Sequence, residues 1–259
     1  MINQTNIDRF SGFADLYNAS RPVPPDSIPK SVMMYLDAPP ALVVDIGSGT
    51  GLSAMIWRDI AARVAGIEPN ENMRAMAMER TAANVTYQKG FSNQTGLEDS
   101  CADVVTISQA FHWMDMASTL DEVFRILKPG GVFAVYDCDW PPAVDWRIEQ
   151  AYKALNAKCR AIEAKKEKPA FRNDKNSYID AFNACGKFRF VREIVLHSVE
   201  PCTPERMIGI ALSQGATQEA VKLEPAVQED IGRFCELVHE RRAGTFDIIF
   251  SYRLRLGIK

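Results

Sequence analysis

Three glycines at alternate positions stand in the run Asp45-Ile46-Gly47-Ser48-Gly49-Thr50-Gly51, between an apolar stretch (Ala41 to Val44) and a helix-like segment (Leu52 to Ile60). Glycines so placed let the chain turn sharply and bring bare backbone against a ligand. A helix leaving such a loop would aim its unpaired N–H groups and positive dipole end into the same space. The spacing differs from GxGxxG, so a nicotinamide dinucleotide is not favoured. A tight turn can need glycines for its own sake, and the loop gains meaning only together with the next strand and helix.

Arg63-Val64-Ala65-Gly66-Ile67-Glu68 reads as a second buried strand that ends in an acid, 23 residues after Asp45. An acid at that point of a Rossmann-like unit accepts hydrogen bonds from both ribose hydroxyls and repels a 2′-phosphate. Pro69-Asn70 opens a helix with Asn70 as N-cap, and Met73 sits one turn inside, where a thioether can lie on an adenine face. Taken singly, Glu68 would be a solvated strand end and Met73 a core residue. Beside the glycine loop, the ligand reading of both is preferred.

On these residues the chain resembles the class I S-adenosylmethionine-dependent methyltransferases, and more narrowly a small-molecule group that includes trans-aconitate methyltransferases. The narrower likeness is carried by Phe13-Ala14-Asp15-Leu16-Tyr17-Asn18-Ala19-Ser20-Arg21-Pro22, by Gly66-Ile67-Glu68-Pro69-Asn70, by Thr95-Gly96-Leu97 and by Gln109-Ala110-Phe111-His112-Trp113. Leu127-Lys128-Pro129-Gly130-Gly131 is common to much of the class. The resemblance implies S-adenosylmethionine as cofactor. Its expected contacts are Tyr17, Arg21, Asp45, Gly47, Ser48, Gly49, Glu68, Pro69, Asn70, Met73, Phe91, Ser92, Ser108 and Gln109. Many relatives carry an acid after the glycine matching Gly90, where it meets the adenine amino group. Phe91-Ser92 stand there instead, so adenine is expected to be held by stacking and by backbone or Ser92 hydrogen bonds.

Methyl transfer is an in-line displacement at an activated sulfonium, so alignment of the acceptor does most of the work. His112 is the catalytic candidate: its imidazole can take a proton from a hydroxyl, thiol or amine, or orient the acceptor. The alternative is a His112 that bonds backbone while Trp113 packs under a cap. Trp113, Asp139, Trp140 and Arg172 are the candidate acceptor contacts, with Trp140 either an aromatic wall or a cap anchor. Tyr17 and Arg21, four apart, share one face if their segment is helical. Arg21 suits a carboxylate, that of the donor in preference to that of an acceptor.

These positions follow the ends of expected strands, which run from Ala41, Arg63, Val85, Val104 and Val132. Ligands of an open parallel sheet sit beyond such ends. Short apolar runs alternating with helical periodicity predict an α/β, Rossmann-like, mostly parallel seven-stranded sheet with helices on both faces. Phe188 to His197 and Phe246 to Leu256 read as long strands forming an antiparallel C-terminal pair. Trp146 to Lys168 reads as an amphipathic helix, with further helices near Pro204–Ser213 and Val227–Arg241. The expected organisation is an N-terminal arm or lid over 1–30 and a single domain over 31–259, with helical cap insertions at about 138–186 and 200–243.

A chain of 259 residues with 47% apolar content can build one such core, and a formal charge of −3 offers no polyanion-binding footprint. No apolar run reaches membrane-spanning length, and Met1-Ile2-Asn3-Gln4 lacks the form of a secretion signal. Six scattered cysteines and three distant histidines suggest neither disulfides nor a metal site. The expectation is a cytoplasmic monomer or homodimer that methylates a small-molecule acceptor, such as a carboxylate or hydroxyl, without nucleic-acid or membrane partners. The alternatives are a nucleic-acid or protein methyltransferase and a non-catalytic S-adenosylmethionine-binding module. An Asn/Asp-Pro-Pro-Tyr/Phe motif after the fourth strand would mark amino-adenine enzymes, and Ser108-Gln109-Ala110-Phe111 stand there instead.

Overall fold

The computed structural model describes residues 14–80, 82–167 and 171–259. Residues 1–13 of the expected arm, Phe13 among them, and Lys168 at the end of the expected cap helix lie outside the described residues.

β1 (Leu42–Ile46) is buried at all five positions, as a strand covered on both faces must be. It pairs in parallel with β2 (Arg63–Ile67) and with β4 (Ala102–Ser108). β3 (Val85–Gln88) and β5 (Leu127–Cys138) extend the parallel set on either side. β7 (Phe246–Ile258) then runs antiparallel between β5 and β6 (Phe190–Cys202), giving the order β3-β2-β1-β4-β5-β7-β6. The expected seven-stranded, mostly parallel sheet is the observed one. The order of strands reverses between β1 and β4, and the carboxyl ends of those two strands open the crevice.

Alternation along the strands divides the core. Val43, Val64, Val104 and Tyr136 face one layer, and Val44, Ile46, Val105 and Phe133 face the other. The first layer is completed by α5 (Trp146–Glu163), α7 (Pro204–Leu212), α8 (Gly215–Leu223) and α9 (Val227–Arg241). The second receives α4 (Met116–Ile126) and α6 (Tyr178–Ala184), whose Tyr178 and Phe182 join Phe111 and Phe133 in a cluster of rings. Two short helices, α1 (Ala14–Ser20) and α2 (Ser27–Met33), precede the sheet, and α3 (Glu71–Glu79) links β2 to β3.

The helix expected over Leu52 to Ile60 is absent. That segment is a series of turns around a 3-10 helix at Met55–Trp57. Ser53 is turned inward, donating to Asp45 Oδ2 at 2.5 Å, and Trp57 is fully buried. Bonds of the i→i+3 type, such as Trp57 N to Ala54 O, wind this segment tightly. The helix before Lys128-Pro129-Gly130-Gly131 stops at Ile126, and β5 begins at Leu127 rather than at the expected Val132, taking that run into the strand. A side chain at Gly131 would press on the carbonyl oxygens of Lys128 and Asp103, at 2.9 and 3.0 Å. α5 ends at Glu163, short of the expected boundary, and α8 is a helix that the sequence pattern does not predict.

Helix α4 starts where Asp115 accepts from Ser118 N at 2.9 Å, and it buries Leu120, Val123 and Ile126. It also holds the Thr95-Gly96-Leu97 loop. The buried carboxylate of Glu122 accepts from Thr95 N at 2.8 Å, from Thr95 Oγ1 at 2.5 Å, and from Arg125 through both Nε and Nη2 at 2.8 Å. Arg125 first, and Thr95 after it, hold this carboxyl down to about 2. Its folded pKa lies below the ordinary value of 4.5, so its stabilising contribution is complete above that value and is lost as pH falls towards 2. Glu122→Gln should therefore lower unfolding free energy at pH 7 by about 1–3 kcal/mol. In denaturant titrations the gap from wild type should narrow near pH 3; an equal gap at both pH values would overturn the assignment.

Candidate active site

At the carboxyl end of β1 the backbone has positive φ at Gly47 (71°) and Gly49 (55°), a region that side chains resist. A Cβ on Gly47 would meet Ala110 Cβ and Met114 Cε at 2.9 Å, whereas one on Gly49 would meet nothing within 4 Å and would project into open space. Glu68 fixes the loop. Its Oε2 accepts from Gly49 N at 2.9 Å and its Oε1 from Asn70 N at 2.8 Å, which leaves each oxygen a further lone pair. Burial pushes this carboxyl up to about 6, against those two N–H bonds and the nearby Arg74. Asn70 caps α3 by accepting from Met73 N at 3.0 Å, and this turns Met73 inward.

Two cavities meet above these loops. The first encloses about 360 Å³ and is lined by Gly47, Gly49, Glu68, Met73, Phe91 and Ser92, among others. That volume is suited to a nucleoside-sized ligand. The expected contacts Pro69, Ser108 and Tyr17 also line it, as does Phe171, which no motif or spacing singled out. Ser92 Oγ accepts from Thr119 on α4 at 2.8 Å, so its orientation is set by that helix. Four expected cofactor contacts, Asp45, Ser48, Asn70 and Arg21, lie outside this lining. Asp45 is wholly buried beneath the loop, accepting from Ser53 and Thr106, and burial pushes it up to about 6. Ser48 is buried behind the loop, outside the cavity lining. Asn70 stands beside the lining as the α3 cap.

The second cavity, of about 130 Å³, lies beside α5 and the start of α8 and shares Tyr17, Gln109 and Trp113 with the first. Arg21 belongs here, although it was expected with the donor. Its guanidinium lies between the rings of Tyr17 and Trp140, 4.7 Å from each centroid, and donates to Ser213 O at 2.9 Å. The contact joins α1 to the end of α7, a connection no local pattern announces. Trp140 and Arg172 line this cavity as expected, with Arg172 over the Trp113 ring at 5.3 Å. Asp139 does not: β5 ends at Cys138, and Asp139 turns outward to Arg253 at 3.1 Å.

His112 also lines the second cavity, and its Nδ1 stands 3.7 Å from Oδ1 of the buried Asp137. Lys175 Nζ lies 2.7 Å from the same oxygen and donates to Gln109 Oε1 at 3.1 Å. Gln109 holds a φ of 53°, rare for a residue with a side chain, at the boundary of the two cavities. Asn156, Arg160 and Glu163 complete much of the wall. Their spacing of four and three along α5, beside its buried stripe, is a signal that the sequence held. Asp137 and Lys175 carried none beyond a place near a strand end and in a basic loop. Among the described residues no group of three His, Cys, Asp or Glu side chains is arranged to hold a metal.

Residues 44–135 match the family model described as a methyltransferase domain. That segment is similar to methyltransferase domains. It contains β2, β3, β4 and most of β1 and β5, and with them the loops that line the first cavity. The chain is 31% identical over 130 residues to a malonyl-[acyl-carrier protein] O-methyltransferase of Serratia marcescens, covering 50% of this chain and 51% of that one. It is 34% identical over 117 residues to a ubiquinone/menaquinone biosynthesis C-methyltransferase of Rubrivivax gelatinosus, covering 44% and 45%. The chain spans about half the length of the curated relatives it matches. A putative type II methyltransferase from Anaeromyxobacter dehalogenans has the same fold, with a TM-score of 0.71 at 20% identity over 92% of this chain and 97% of that one. No helix among the described residues is long and apolar enough to cross a membrane.

The lining of the first cavity fits S-adenosylmethionine on its own chemistry. Glu68 keeps acceptor capacity towards the cavity, Gly49 leaves room for backbone approach, and Phe91 and Met73 supply apolar walls. Glu68→Ala should weaken binding of S-adenosylhomocysteine roughly tenfold to a hundredfold, as loss of charge-assisted bonds implies. The acceptor form is the ionised one, so wild-type affinity should hold above pH 7 and fall as pH drops through about 6. Calorimetry across that range checks both; a flat profile, or a mutant of wild-type affinity, would remove Glu68 from the site.

Proposed function

We propose that the protein transfers a methyl group from S-adenosylmethionine to a small-molecule acceptor seated in the second cavity. The observation that carries this reading is the junction of the two cavities at Tyr17, Gln109 and Trp113. A donor in the first cavity and an acceptor in the second would face each other across those three side chains. S-adenosylmethionine, when bound, supplies a methyl group already activated on a sulfonium. Glu68 would hold the ribose, the Gly47 to Gly49 backbone the amino-acid portion, and Phe91 with Met73 the adenine. Tyr17 and Trp113 would keep water from the junction, so that alignment rather than strong acid–base chemistry lowers the barrier.

The cap favours a small acceptor over a polymer. α5 and the start of α8 line the second cavity, and α1 is fastened beside them through Arg21 and Ser213. A nucleic-acid strand would need an open, basic groove, and the chain carries a formal charge of −3.

Wild-type protein should bind S-adenosylhomocysteine with a dissociation constant on the order of micromolar, about −8 kcal/mol. With methyl-labelled S-adenosylmethionine and a metabolite extract, label should enter the low-molecular-mass fraction. Label passing to RNA, DNA or protein would overturn the acceptor class. Absence of donor binding in calorimetry would overturn the function.

A further inference from the structure

Cationic side chains gather on the wall of the second cavity. Arg21, Arg160, Arg172 and Lys175 line it, with Glu163 the acid among them. Lys175 is paired with the buried Asp137. The guanidinium of Arg21 donates to Ser213, and Arg160 Nε donates to Asn156 Oδ1 at 3.2 Å, so both meet neutral oxygens. Cations gathered on one cavity wall attract and orient an anion there. Arg160 sits on α5 and belongs to the second cavity alone, away from the junction side chains shared with the first.

A second group on the same wall points to a proton that must be removed. His112 and Asp137 are both nearly inaccessible, at 4% and 1% exposure, and imidazole Nδ1 faces carboxylate Oδ1 at 3.7 Å. An acid beside Nδ1 favours the tautomer with its proton there and strengthens Nε2 as a base. Asp137 is itself fixed from the far side, with Arg255 Nη1 3.9 Å from Oδ2, and Arg255 is tied in turn to Glu193. A carboxylate acceptor is ionised near neutral pH and gives such a base nothing to do. A hydroxyl must lose its proton as it attacks.

We infer that the acceptor is a small hydroxy acid, anchored by its carboxylate on the Arg160 side of the cavity and methylated on its hydroxyl oxygen at the junction. The inference rests on the methyltransferase reading of the same two cavities. His112 is the catalytic base, and Asp137 is the positioning residue that holds its ring. As the oxygen–carbon bond forms, the carbon–sulfur bond of the donor breaks and its electron pair stays on sulfur, which becomes a neutral thioether. The hydroxyl proton passes to His112 Nε2 and leaves to water once the product departs.

The test uses the full chain, S-adenosylmethionine, and matched sets of small hydroxy acids, their hydroxyl-free acids and their neutral hydroxy amides. Hydroxy acids should yield methyl ethers that survive mild alkali, and the amides should turn over at least tenfold more slowly. Arg160→Gln should raise KM for the hydroxy acid roughly tenfold with kcat held. His112→Gln and Asp137→Asn should lower kcat, by about 10²–10⁴-fold for the base, with KM held. Unchanged S-adenosylhomocysteine affinity in each variant reports an intact fold. Alkali-labile esters from hydroxyl-free acids, amides used as well as acids, or a wild-type kcat in both His112→Gln and Asp137→Asn would overturn the inference. So would failure of every hydroxy acid in the set while S-adenosylhomocysteine still binds. Failure of that binding in the wild type would instead overturn the methyltransferase reading.

Discussion

One carboxylate, that of Glu68, organises the first cavity. Its two oxygens take the N–H groups of Gly49 and Asn70, so a single side chain ties the loop after β1 to the start of α3. Both tethered segments are short and carry special backbone, a positive φ at Gly49 and the capping geometry of Asn70. Burial raises the cost of charge on Glu68, and the two N–H bonds offset part of it. A group poised in this way, at a cavity wall with unused acceptor capacity, is suited to meet polar groups of a ligand.

Beneath the loop, a second buried acid has a structural role of a different kind. Asp45 accepts from Ser53 and Thr106, linking β1 to β4 and to the tight segment after the glycines. Its place at the strand end is visible in the sequence, where it suggests a direct contact with the donor. The structure instead makes it the floor on which the loop rests. The inward turn of Ser53 towards it accompanies the tight turns found where a helix-like segment was expected.

The second cavity is a product of assembly. α1 supplies Tyr17, β4 leads to Gln109, His112 and Trp113, β5 leads to Trp140, and α5 supplies Asn156, Arg160 and Glu163. Arg21 fastens these parts through Tyr17, Trp140 and Ser213. An arginine four residues after a tyrosine reads as a ligand contact from local spacing alone. Its stacking between two rings, one of them more than a hundred residues away in the chain, is settled by how α1 crosses the cap. Gln109 shows the same dependence. Its left-handed backbone is held by Gln109 N donating to Tyr136 O at 3.0 Å and by Lys175 on its side-chain oxygen, partners from two other segments.

What the sequence determined by itself is the frame of the donor site. Apolar runs of strand length, glycines needed for positive φ, an acid after β2 and an N-cap at Asn70 are local requirements, each written within a few consecutive residues. The seven-stranded sheet and the lining by Gly47, Gly49, Glu68, Met73 and Phe91 follow from them. Only the tertiary structure decided which side chains share the second cavity, because those contacts join segments far apart in the chain and depend on helix crossings. The single residue step from Cys138 to Asp139 turns a carboxylate from the site to solvent, while Asp137, two places earlier in the chain, is buried beside His112 and Lys175. Periodicity can mark which residues alternate, but the neighbours that meet each face are set by how the layers pack.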